Sequence, residues 1–167
     1  MAVDSLFTNG IIAAREKYLL KDKLLRMCEV SADEAFRMLA ESGFGKDVTV
    51  SSVYEYEKLI LADSRDIDSF IREFSPSAAE EQYLLAPRDF HNAKALVKAE
   101  RLGADAGPML APDGLIPAED IKACLKSGDF SPLPAELKNA VLNAREYLSQ
   151  GEAYGAETGA IFDKALY

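Results

Sequence analysis

Tyr83-Leu84-Leu85-Ala86-Pro87-Arg88-Asp89-Phe90-His91-Asn92-Ala93-Lys94-Ala95-Leu96-Val97-Lys98-Ala99-Glu100-Arg101-Leu102 is the stretch whose reading decides the fold. Phe90, Ala93, Leu96 and Val97 recur at helical spacing, and Arg88, His91, Lys94, Lys98 and Arg101 fill the positions between them. That pattern predicts an amphipathic helix over 87–102. Gly103 stops it. Pro87 fits the first turn, where its missing N–H removes nothing the helix needs, and Asp89 then lies near the end where the helix dipole favours an anion. Asn92 follows Asp89 by one helical step of three. Both abut apolar positions, Phe90 and Ala93. The expectation is a local polar link at the edge of a core, with Asp89, Phe90, Asn92 and Leu96 as structural residues and no reactive pair among them.

Working backwards, Ser75-Pro76 breaks a preceding helix, and Ser77 with Glu80 has the spacing of a capping box that leads into Tyr83 and Leu84. Tyr56, Leu59, Ile60, Asp63, Ile67, Phe70, Ile71 and Phe74 trace the long helix ahead of that break. The β-branched run Val48 to Val53 has no partner segment with which to build a sheet, so Ser51 or Ser52 reads as a helix cap. Before it, Ser31-Ala32-Asp33-Glu34 is a second capping box, with Ala35, Met38 and Leu39 on one face and Gly43 to Gly45 as its end. Lys21 to Cys28 predicts a short helix burying Leu24 and Leu25. Ser5 to Leu20 predicts another, carrying Phe7, Ile11, Ala14, Tyr18 and Leu19, with Gly10 as an interruption costing about 1 kcal/mol relative to Ala.

Forward of Leu102 lies the densest turn chemistry in the chain: Gly103, Gly107-Pro108, Pro112-Asp113-Gly114 and Pro117. Residues 103–116 therefore read as a linker between a first helical repeat, 1–102, and a partial second one, 117–167. In the second, Pro117 opens a helix with Ile121, Cys124 and Leu125. Pro134 opens another with Leu137, Val141, Leu142 and Leu148. The last segment, Ala153 to Tyr167, has Ile161, Phe162, Ala165 and Leu166 on a helical pattern and no terminating cap. It is expected to be an interrupted helix whose open apolar stripe promotes self-association. One internal echo supports the repeat reading: Leu19 to Cys28 aligns without a gap on Leu115 to Cys124, and a second helix follows each copy. Chance similarity between helices is the competing explanation.

Composition narrows the function. The chain has 167 residues, enough for a real core, and 19 basic against 28 acidic residues give a formal charge of −9. That balance argues against a surface built for nucleic-acid phosphates. Two cysteines without an N-terminal apolar signal fit a reducing cytoplasm, with both as small buried hydrophobes and a disulfide as the minor alternative. No run approaches the roughly 20 apolar residues of a spanning helix, so a membrane link would have to pass through another protein. A single histidine, His91, excludes a multi-histidine metal site. Asp89 and His91, two apart on a helix, point in different directions and have no nucleophile nearby in sequence. Gly43-Phe44-Gly45 lacks the lysine of a phosphate loop. The Lys21 to Ser42 helix pair carries Asp33, Glu34 and Glu41 where a DNA-reading helix needs cations. No cofactor, metal or catalytic site is expected.

Several of these pieces together resemble the C subunit of archaeal-type and vacuolar-type rotary ATPases, called subunit d in eukaryotes. They are Asn9-Gly10-Ile11-Ile12-Ala13-Ala14-Arg15-Glu16 with Leu19-Leu20, the Ala35 to Leu39 helix, Asp89-Phe90-His91-Asn92-Ala93-Lys94-Ala95-Leu96, Gly114-Leu115-Ile116-Pro117, Leu133-Pro134 and Phe162-Asp163-Lys164-Ala165-Leu166-Tyr167. Asp89 to Lys94 is the most specific of them. The resemblance spans essentially the whole chain and implies an all-α fold of pseudo-symmetric helical repeats, long helices with small helical insertions. It also implies a non-catalytic central-stalk subunit, cytoplasmic and peripheral to the membrane, that couples the central axle subunits to the proteolipid rotor ring. The family's chains are longer, so the match is to their N-terminal half, and an N-terminal piece is expected. A free-standing helical adaptor is the reading from a different functional class.

Overall fold

The computed structural model describes residues 4–15, 21–45, 48–112, 114–151 and 155–167. Those residues form eight α-helices and no strand: α1 Ser5–Arg15, α2 Lys21–Cys28, α3 Ala32–Glu41, α4 Tyr56–Phe74, α5 Ala78–Leu102, α6 Ala118–Ser127, α7 Ala135–Ser149 and α8 Gly155–Leu166. Short 3-10 turns occupy Val53–Glu55 and Gly107–Met109. The fold is all-α, as the helical periodicity predicts. Tyr18, Leu19 and Leu20 at the end of the first predicted helix, and Ala153 at the start of the last, lie outside the described residues. By compactness the chain forms two units, Met1–Glu81 and Gln82–Tyr167.

In the first unit, local chemistry sets the helix ends. Ser31 accepts a hydrogen bond from the Glu34 N–H at the start of α3, but the Glu34 carboxylate pairs with Arg37, so only one arm of the capping box forms. Ser52 caps the 3-10 turn by accepting from the Tyr54 N–H, which places Val48 to Val53 in the approach to α4 and not in a sheet. At the far end of α4, Ser75 is extended because Pro76 excludes the helical conformation from the residue before it. Helix α1 lies along the C-terminal part of α4. The Thr8 hydroxyl donates to the Phe74 carbonyl at 2.8 Å, Phe7 and Phe74 have ring centroids 6.2 Å apart, and Arg15 covers the Phe70 ring at 4.4 Å while pairing with Asp66. Helices α2 and α3 pack on each other. Gly45, at a φ of 65°, lets the turn after α3 press on α4; a Cβ there would stand 2.4 Å from Leu59 Cδ2. Leu59 is the one large apolar side chain that the described residues of this unit bury fully.

The second unit has a continuous core. Phe90, Ala93, Leu96 and Val97 of α5 pack with Ile121, Cys124 and Leu125 of α6, Leu137, Val141 and Leu148 of α7, and Phe162 of α8. Gly128, with a φ of 74°, closes α6 in the left-handed conformation that glycine adopts without a Cβ penalty. Phe130 and Leu133 then fill the turn into α7.

One sequence expectation is corrected, and two others meet structural detail. The central helix starts at Ala78, not at 87, so Pro87 lies inside it. Ser77 accepts from the Glu80 N–H and starts the helix early, and burial from Leu85 onwards carries it through a proline whose interior placement costs about 3 kcal/mol. Residues 103–112 and 114–116 lie within the second unit, where they form a strap bonded to α5, described below. The apolar face of α8 is spent on its own chain: Phe162 is fully buried, and Ile161, Ala165 and Leu166 pack half-buried against the core, which removes the stated reason for self-association through it. The internal echo coincides with α2 and α6, yet its burial does not repeat, since Leu25 and Cys28 are exposed where the aligned Ile121 and Cys124 are buried.

Candidate functional site

Residues 109–112 and 114–116 run beside α5, and three polar residues of the helix, Asp89, His91 and Asn92, bond to their backbone. Asn92 is fully buried and bonds Ala111 in both directions: its Oδ1 accepts the Ala111 N–H at 2.8 Å, and its Nδ2 donates to the Ala111 carbonyl at 3.3 Å. A side-chain amide used so takes the place of a neighbouring backbone. Asp89, 3% exposed, accepts the Leu115 N–H on Oδ2 and the Ile116 N–H on Oδ1, each at 3.1 Å. Those two amides immediately precede Pro117 and α6, so the carboxylate fixes where α6 begins. His91 is exposed on the flank of the helix, and its Nε2 lies 2.9 Å from the Met109 carbonyl.

Gly114 completes this clasp. Its backbone passes so close to α5 that a Cβ would lie 2.3 Å from Asp89 Oδ1 and 2.7 Å from the Leu85 carbonyl. Leu110 and Ile116, half-buried against the core, bracket it with apolar contacts. The expected local link between Asp89 and Asn92 is thus a long-range one, in which each reaches the strap across 19 to 27 residues of sequence. Phe90 and Leu96, the other two residues singled out, lie in the core at 8% and 5% exposure.

A second polar cluster gave no signal in the sequence. Arg145 on α7 bonds Glu100 of α5 through two nitrogens at 3.1 and 2.7 Å, donates to the Leu125 carbonyl at the end of α6, and stands 5.6 Å from the Phe130 ring centre. One guanidinium therefore ties three helices and a turn, as its planar fork of donors permits. Lys94 pairs with Asp163 of α8 at 3.0 Å.

Chemically, these groups hold backbone. Asp89, His91 and Asn92 point their polar atoms at main-chain partners, and no group of three potential metal-ligating side chains occurs among the described residues. The family model for the ATP synthase (C/AC39) subunit matches residues 8–167, a span that includes the clasp and every helix core. The chain belongs to that family. No curated protein and no solved structure matches it. As a C/AC39 subunit it is a component of a V/A-type ATP synthase. No described helix of this C/AC39 subunit is long and apolar enough to cross a membrane. Its Asp89 to Lys94 stretch, the most specific part of the resemblance, is the part of α5 that carries the clasp and the Lys94 pair.

Proposed function

We propose that this C/AC39 chain is a non-catalytic coupling subunit of a rotary ATPase, set between the central axle and the membrane proteolipid ring on the cytoplasmic side. The observation that carries the reading is the family match over residues 8–167. The use of Asp89, His91 and Asn92 as backbone anchors supports it, because these are the residues that a catalytic reading would otherwise have claimed. An all-helical scaffold with a rigidly strapped second unit suits the transmission of force between partners. The membrane association is indirect and runs through the ring.

The test is binding of the purified chain to the isolated axle subunits and, separately, to the detergent-solubilised ring. Retention of both supports the coupling role, and retention of neither overturns it. Phosphate release from ATP by the pure chain, abolished by a point substitution within it, would contradict the non-catalytic assignment.

A further inference from the structure

Helix α5 changes character within a few residues. Its first seven positions, 78–84, contain no buried residue, and Tyr83 and Leu84 stand 77% and 49% exposed. Leu85 is fully buried, and from there Asp89, Phe90, Asn92, Ala93, Leu96 and Val97 are all inside. Pro87 lies at this change. It has no N–H to give to the Tyr83 carbonyl, so the helical ladder lacks one rung just where the buried face starts. Upstream of that rung, α1 to α4 bury a single large apolar side chain, Leu59, and leave Leu6, Phe7, Leu24, Leu25, Ile60 and Ile67 exposed. Cooperative units of a native protein open separately where buried apolar contact is sparse and the hydrogen-bonded connection is thin.

We propose that Tyr83 to Pro87 is a release point built into α5, at which residues up to Leu84 open as one cooperative body while residues 85–167 stay folded. Two features give it direction. On the C-terminal side the helix is held by the core and by the strap bonded to Asp89 and Asn92, so opening stops there. On the N-terminal side the segment 78–84 buries no side chain, and the Ser77–Glu80 cap and the Glu81–Arg72 pair tie it to residues that open with it, so the missing rung means that one bond fewer has to break. The device lets the N-terminal helices rearrange or refold without loosening the clasp.

Native-state hydrogen exchange of the full chain, followed by mass spectrometry across a series of low urea concentrations, reads this directly. The expected result is two classes: amides of α1 to α4 and 78–84 share one opening reaction, and those of 88–102, α6 and α7 exchange at least about a hundredfold more slowly. Pro87→Ala restores the rung, and should raise protection in 82–87 by about tenfold, the worth of one hydrogen bond, without changing 90–102. Leu59→Ala should speed exchange in the N-terminal class alone. A single protection level from α4 through the end of α5 would overturn the proposal. So would Pro87→Ala leaving 82–87 unchanged, or Leu59→Ala weakening both classes equally.

Discussion

The two units of this chain are nearly equal in length and similar in helical patterning, yet among the described residues one buries a continuous core and the other scarcely any. Gln82–Tyr167 encloses Leu85, Ile121, Leu137, Val141 and Phe162 at 0% exposure, whereas Met1–Glu81 has Leu59 at 1% and then a fringe of half-buried side chains. Amphipathic spacing is therefore not what separates them. In the second unit every apolar stripe meets another: α5 is faced by α6, α7 and α8, and Arg145 and the strap close the remaining polar gaps. In the first, α2 pairs with α3 and α1 with part of α4, and the other faces carry Leu24, Leu25, Ile60 and Ile67 outwards. A stripe predicts that a helix forms. It does not say that a neighbour exists to cover it.

The sharpest way to break the comparison is to injure each unit at its closest backbone approach. Gly114→Val should destabilise the second unit by about 3 kcal/mol or more, since the new Cβ collides with Asp89 and with the Leu85 carbonyl and neither can retreat from the core. Urea unfolding followed through tyrosine signals and circular dichroism measures it. An unchanged midpoint would mean that the strap has other places to lie. Next in size, Leu137→Ala should cost about 2 to 5 kcal/mol, because the side chain is fully enclosed, while Leu25→Ala, 54% exposed, should stay within about 0.5 kcal/mol. Equal losses from the two would show that the first unit has a core beyond Leu59.

The smallest effect concerns an acid in the first unit. Burial pushes the Asp63 carboxyl above the ordinary range and the neighbouring Asp66 charge adds to this, opposed by the Gly45 N–H and Arg15. An acid whose pKa is higher folded than unfolded burdens the fold at neutral pH. That burden lifts as pH falls through the folded value and is gone below the unfolded one. Asp63→Asn should then be slightly more stable than the parent at pH 7, and the difference should vanish below about pH 4, the ordinary aspartate range. A difference independent of pH would locate the effect in packing.

Much of the fold was legible in the sequence because its signals are local. Ser31, Ser52 and Ser77 each accept the amide that their spacing predicts, and Pro117 and Pro134 stand immediately before α6 and α7. The errors arose where tertiary contact overrides a local rule. Pro87 reads as a helix start until the burial of Leu85 and Phe90 is known. The glycines and prolines of 103–116 read as a linker because turn chemistry looks the same in a free segment and in one strapped to a helix. Asp89 and Asn92 were recognisable as polar residues at a core edge, but their partners lie 19 to 27 residues away, beyond any periodic pattern. Arg145 has no local signature at all.

The central claim is that the best-marked residues of this C/AC39 chain hold its fold together. Urea unfolding of Asp89→Ala tests it most directly, because Leu115 and Ile116 would lose their acceptor inside the protein. The account predicts a loss of about 1 to 3 kcal/mol in the transition of the second unit, with Asp89→Asn recovering only part of it, since an amide offers one oxygen where the carboxylate offers two. An Asp89→Ala melt that overlays the parent would contradict it, and would turn Asp89 from an internal anchor into a residue kept for some other contact.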